Sequence, residues 1–239
     1  MDDRYRNIAL IFEIEISINF LKRGLGEIQK ISRENNFYHP ALQFLSSGLE
    51  RLFKSMLCLS FKEKNNRLPS YKELLNGKNG HDIEYLKSEV EKICIPLNRT
   101  YENMDKDYDI IINDKIINSI CKTLSEYGQR SRYFNLDAVL GTEQEFDSIK
   151  AWEKIENQML EQDMGKNKFL KMIQQIVIPD SLFQKSNELI VSRLELFLRA
   201  ISRQFIFGDF SKDAKSLMFE VESFSQIKDV QIGKTDYKF

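Results

Sequence analysis

The sequence has little of what marks a specialised chemistry. Two histidines and three cysteines in 239 residues leave scant material for a metal centre. Cys58, Cys94 and Cys121 are odd in number and form no CxxC pair, so they read as buried free thiols of a reducing compartment and not as a disulfide framework. No Walker loop, HExxH, GxSxG or zinc-like Cys/His spacing occurs, and neither a metal nor a cofactor is expected. Charge of one sign is also missing. With 35 basic and 36 acidic residues the net charge is −1, so any nucleic-acid binding must use a local patch. No uncharged apolar run approaches the ~20 residues of a membrane-spanning helix. The start Met1-Asp2-Asp3-Arg4 is unlike a signal peptide, so a cytoplasmic protein with no membrane partner is expected.

Only 4 prolines and 10 glycines interrupt the chain, and Leu, Ile, Lys and Glu abound, which favours helix. The alternation of Phe12, Ile14, Ile16, Ile18 and Phe20 imitates a strand. Ile11, Ile14, Ile18, Leu21, Leu25 and Ile28, however, recur at three-and-four spacing over a longer stretch, which predicts a helix whose buried face Phe12 and Ile16 widen. Pro40 suits the first turn of a second helix running to about Lys64. Ser70 and Glu73 form a capping box for a short helix ended by Gly77, and another helix is expected from about Asp82 to Leu97. Residues 98–113 read as an acidic linker. Its Asp105-x-Asp107-x-Asp109 start is no calcium loop, because Ile110 and Ile116 replace the turn glycine and the closing glutamate. Further helices are expected from about Asp114, around Trp152, Ile155 and Met159, from Ser181 to Phe207 after Pro179, and from Ser211 to about Phe224. Arg199 and Arg203, four apart, suit a solvated face or a local anion patch.

Three polar islands sit inside these apolar helices: Gly48-Leu49-Glu50-Arg51-Leu52-Phe53-Lys54, Gly80-His81-Asp82, and Arg130-Ser131-Arg132-Tyr133-Phe134-Asn135-Leu136-Asp137. Glu50 and Lys54 face the same way on a helix. As a surface ion pair they contribute roughly 0.3–0.5 kcal/mol, but Gly48 marks this helix as lying close to a neighbour. Asp82 is placed to cap a helix, while His81 can exchange protons near neutral pH. In the third island, Arg132-Tyr133 ends a helix, and Asn135 and Asp137 suit the turn beyond it. The arginines either answer the exposed carbonyls of that helix end or offer a planar fork to phosphate, with Tyr133 beside them for stacking. Arg33 and His39 match a spacing of arginine, four to six residues, then histidine. Such a match arises readily by chance, and Pro40 makes the pair straddle a connection.

Taken in order, His39-Pro40-Ala41 opening the helix of Glu50 and Lys54, then Gly80-His81-Asp82, then Arg132-Tyr133-Phe134-Asn135-Leu136-Asp137 resemble the HEPN superfamily, and more narrowly an uncharacterised bacterial branch of it. The likeness covers roughly residues 6–160. It implies an all-α, up-and-down bundle of about four helices, here with residues 161–239 as a C-terminal helical extension packed on it. It also implies a homodimer, a role in phage defence or toxin–antitoxin modules, and RNA, nucleotide or protein partners. Active members of that family are metal-independent ribonucleases using an arginine–histidine pair. This chain departs from their pattern, since no histidine follows Arg130 or Arg132 and the Arg33/His39 pair precedes the Glu50/Lys54 helix.

Three readings stay open. In the first, Glu50, Lys54, His81, Arg132 and Tyr133, with Asp82, Arg130, Asn135 and Asp137 around them, bind a nucleotide or RNA end. In the second, His81 or His39 acts as acid/base and Arg132 or Arg33 stabilises phosphate in a metal-independent ribonuclease. In the third, the islands merely fix helix crossings in an interaction protein, and mutual pairing of Glu50, Lys54 and Arg132 is its mark.

Overall fold

The computed structural model describes residues 2–95, 104–143, 145–174 and 179–238. Asp3–Gln29 form one helix, α1, capped by the Asp2 side chain, which accepts from the Arg4 N–H. Ile14, Ile18, Leu21, Leu25 and Ile28 make its buried stripe. The strand-like alternation has a simple helical outcome. Residues two apart on a helix are turned by about 200°, so Phe12 and Ile16 lie opposite Ile14. They do not widen the buried face as expected: Phe12 is 56% and Ile16 38% exposed, and Ile11 lies at the margin. With Tyr5 and Ile8 they form an apolar stripe on the outer side of α1.

The second helix, α2 (His39–Asn65), carries Pro40 in its first turn and ends on Asn66 in the left-handed conformation. It crosses α1 at two glycines. A Cβ on Gly24 would come within 3.1 Å of the Leu45 backbone nitrogen, and one on Gly48 within 3.1 Å of that of Leu21. The close approach expected at Gly48 is therefore the α1–α2 contact.

Next come α3 (Tyr71–Leu75), with the Ser70–Glu73 capping box, and α4 (Ile83–Glu91). The helix expected to reach Leu97 stops at Glu91, and Leu97 itself lies outside the described residues. Residues 104–113 are a helix, α5 (Met104–Asn113), where an acidic linker was expected. Its periodicity was masked by acidic residues, yet Ile111 is fully buried and Asp107 is buried against Arg203 at 2.6 Å.

Asp114 caps α6 (Lys115–Gln129), accepting from the N–H groups of Ile116 and Ile117. A 3₁₀ turn over Ser131–Tyr133 leads into α7 (Phe134–Val139), so Asn135 and Asp137 sit on a short helix and not in the turn expected there. Then follow α8 (Ser148–Met164), α9 (Lys166–Ile173) and the long α10 (Asp180–Phe207). Two short helices, α11 (Lys212–Ser216) and α12 (Glu222–Ser225), stand where one was expected, and Ser211 makes no side-chain cap.

These helices form an all-α bundle with no strand among the described residues. One buried core runs from Ile14 on α1 to Tyr237 in the tail, with α10 packed on α1, α5, α6, α8 and α12. Polar side chains of α10 stitch the chain around it, which corrects the reading of Arg199 and Arg203 as a solvated face or anion patch. Arg199 is 6% exposed and donates to the Ile227 carbonyl and the Asp229 carboxylate, while Arg203 serves Asp107. Cys94 and Cys121 are buried and Cys58 partly so; all three are free, and burial pushes each thiol well above its usual range. Among the described residues, no helix is long and apolar enough to cross a membrane.

Candidate functional site

α2, α4 and α6 pack on one another pairwise, and this brings the three islands to one region of the surface. Glu50 is its hub. One carboxylate oxygen accepts from Lys54 Nζ at 2.7 Å and the other faces His81 Nδ1 at 2.9 Å. A carboxylate only accepts, so the proton of a neutral His81 ring lies on Nδ1 and Nε2 is left as an acceptor. The His81 side chain is 55% exposed, whereas Glu50 and Lys54 are largely covered.

The loop carrying His81 is clamped from both sides. Asn79 donates to Gln129 on α6 at 3.0 Å and accepts from the His81 N–H at 3.0 Å. Asp82 caps α4 by accepting from the Tyr85 N–H at 2.9 Å, and it also accepts from Ser125 on α6 at 3.3 Å. Gly80 is buried, and a Cβ added there would lie 3.0 Å from Leu75 Cδ1, 3.1 Å from the Tyr71 hydroxyl and 3.2 Å from Lys54 Nζ, so this position is closely packed against the Lys54 ammonium. The capping role of Asp82 thus coexists with a fixed position for His81.

Arg132 lies beyond the end of α6 and donates to the Gly128 carbonyl, answering one of that helix's exposed acceptors. A Cβ on Gly128 would sit 3.8 Å from the His81 carbonyl, so Gly128 separates the His81 loop from Arg132. The guanidinium is 5.9 Å from the centre of the Tyr133 ring, and that ring is exposed. Arg132 is not paired with Glu50. The mutual Glu50–Lys54–Arg132 pairing that would mark a purely structural role is therefore only half present.

The remaining expected residues lie around this cluster. Arg130 is exposed and paired with Glu126 at 2.9 Å. His39 Nδ1 is 3.3 Å from the Tyr127 hydroxyl, which itself donates to the His39 carbonyl at 3.2 Å. Burial raises the Tyr127 hydroxyl pKa, with the nearby Arg132 charge opposing it. His39 and Asn135 line a common groove of about 350 Å³, whereas Arg33 lines a separate cavity. Asp137 lies on α7, its carbonyl accepting from the Thr142 N–H.

Tyr127, Gly128, Ser125 and Gln129 do not stand out in the sequence, yet Ser125 bonds to Asp82, Gly128 to Arg132, Gln129 to Asn79 and Tyr127 to His39. Their only signal was position, one or two turns ahead of Arg132 on the same helix. No family model, curated protein or solved structure matches this chain.

Proposed function

We propose that this protein is a HEPN-like helical protein that binds a nucleotide or an RNA end, in a bacterial defence or toxin–antitoxin setting, through Arg132, Tyr133, His81 and Lys54. The observation that carries this reading is the Glu50–Lys54–His81 cluster, held on the surface with a half-exposed imidazole and flanked by Arg132 and the exposed Tyr133 ring. Arg132 keeps donors besides the one given to Gly128, which suits a phosphate oxygen. Tyr133 offers a ring face to a base, and Glu50 orients Lys54 and His81 toward the ligand. The test is titration of a fluorescent single-stranded RNA oligonucleotide. Arg132→Ala is expected to weaken binding about tenfold, the loss of one charge-assisted hydrogen bond, and unchanged affinity would remove Arg132 from the site.

The His81–Glu50 hydrogen bond favours a second reading, a metal-independent ribonuclease in which His81 exchanges the proton. Cleavage of the same oligonucleotide in chelator, lost in the His39→Ala/His81→Ala double variant, would establish it; no cleavage by either protein leaves binding alone.

A homodimer belongs to the same proposal, supported by the outer α1 stripe of Tyr5, Ile8, Phe12 and Ile16. Light scattering should read a dimer for the wild type and a monomer for Phe12→Glu, which places a charge where apolar surface would be covered. A wild-type monomer at every concentration would refute this pairing.

A further inference from the structure

A cavity of about 550 Å³ opens between residues 33–38, α8 and α10, and none of Glu50, Lys54, His81 or Arg132 lines it. Its volume falls within the range of small-molecule sites. Two features of its lining are unusual for a surface cleft. The first is Glu156, a carboxylate only 7% exposed, reached by the Tyr38 hydroxyl at 2.9 Å and Trp152 Nε1 at 3.1 Å. Both partners are neutral donors, and no ion pair reaches Glu156 among the described residues. The second is Ser186 on α10, 5% exposed, a residue that borders the same cavity and whose buried hydroxyl has no hydrogen-bond partner.

A buried carboxylate without a cation is costly, and so is a buried hydroxyl without a partner. One ligand group answers both. An ammonium carries a positive charge and three donors, enough for the carboxylate of Glu156 and the hydroxyl oxygen of Ser186. The charge around the cavity agrees: Glu153 lies one turn from Glu156 and lines it too, against a single cation, Arg33. Leu182 and Phe183 supply an apolar wall.

From these features we infer that the cavity binds a small organic amine as its ammonium ion, the charge seated at Glu156 and Ser186 and the hydrocarbon body against Leu182 and Phe183. This site is independent of the proposed RNA or nucleotide site, since the two share no residue. Burial pushes the Glu156 carboxyl up to about 7, with the Tyr38 and Trp152 hydrogen bonds opposing. An ammonium would draw it back to the ionised form.

Calorimetric titration of the full chain with benzylammonium, benzyl alcohol and benzoate tests the charge requirement, at about pH 8, where both Glu156 and the amine are charged. Benzylammonium is expected to bind one to one, and the other two at least tenfold more weakly. Glu156→Gln keeps an acceptor for Trp152 and, through its amide, a partner for Tyr38, so it should fold. It should weaken the amine at least tenfold and leave the alcohol unchanged. Ser186→Met fills the cavity and should abolish amine binding. Equal affinity for alcohol and amine would overturn the inference, as would no effect of Glu156→Gln. So would the absence of heat at about 10 mM amine, where even a millimolar site fills. The three wild-type titrations decide the matter even if a variant is unstable.

Discussion

Gly48→Leu is expected to lower the unfolding free energy by about 3 kcal/mol, the upper end of the usual cost of overpacking, and the thermal midpoint by roughly 6–12 °C for a chain of this size. Gly48 is where α2 meets α1. A Cβ there already lies 2.7 Å from Leu21 Cγ and 3.1 Å from the Leu21 backbone nitrogen. Leu21 is fully buried, and a backbone nitrogen inside a helix has no freedom to retreat. Gly48→Ala is the milder case, because about 1 kcal/mol of improved helix propensity offsets part of the clash. The geometric cause can be isolated with a second change. Leu21→Ala alone leaves a cavity costing about 2–5 kcal/mol, but with Gly48→Leu it makes room for the new side chain. The double variant should therefore cost clearly less than the sum of the two. Chemical denaturation of the four proteins measures this, and strict additivity would show that Gly48 and Leu21 do not press on each other.

A pH-dependent effect of comparable size is expected from Glu156. Burial raises its folded carboxyl to about 7, against about 4.3 in an unfolded chain. The folded state holds this proton more tightly, so the contribution is fully present below about pH 4 and is lost as pH rises through about 7. Integrated over that window, the difference is roughly 3 kcal/mol. Glu156→Gln cannot titrate. Relative to wild type, it should gain that amount of stability between acid and mildly alkaline pH. Tyr38 from the segment before α2 and Trp152 on α8 bond to Glu156, Glu153 lies one turn away, and the cavity beside it is also lined by Arg33 and, from α10, by Leu182, Phe183 and Ser186. Burial also raises the Tyr38 hydroxyl above its ordinary range, so it does not titrate across this window. Urea denaturation of both proteins across the window reads the effect. Stability curves that run parallel would mean the Glu156 carboxyl is solvated and ionised like an ordinary glutamate.

Much of the helical architecture was legible because helix signals are local. The Ser70–Glu73 box, the Asp82 and Asp114 caps and the stripes of α2 and α10 each depend on residues within a few positions of one another. Where the reading failed, a remote partner had changed the local balance. Asp107 looked like part of a solvated linker because its cation, Arg203, lies on another helix. Arg199 looked solvated because the tail that covers it, around Ile227 and Asp229, arrives from beyond α12.

The candidate sites divide along the same line. Glu50 and Lys54 were visible as a pair, being one turn apart on a single helix, and Asp82 as a cap for the same reason. The approach of His81 to Glu50, the placing of Arg132 behind Gly128 and the closure of the Glu156 cavity depend on how separate helices pack. Glu156 carried one faint mark, a glutamate in the arc of Trp152, Ile155 and Met159, where a buried indole N–H needs an acceptor. By itself, then, the sequence determined the helical class, most helix starts and the chemistry available on each helix, since those follow from backbone periodicity and capping over a single turn. Only the tertiary structure decided which of those groups meet, because glycine-sized gaps, buried charges and cavities are properties of two helices in contact and not of either one alone.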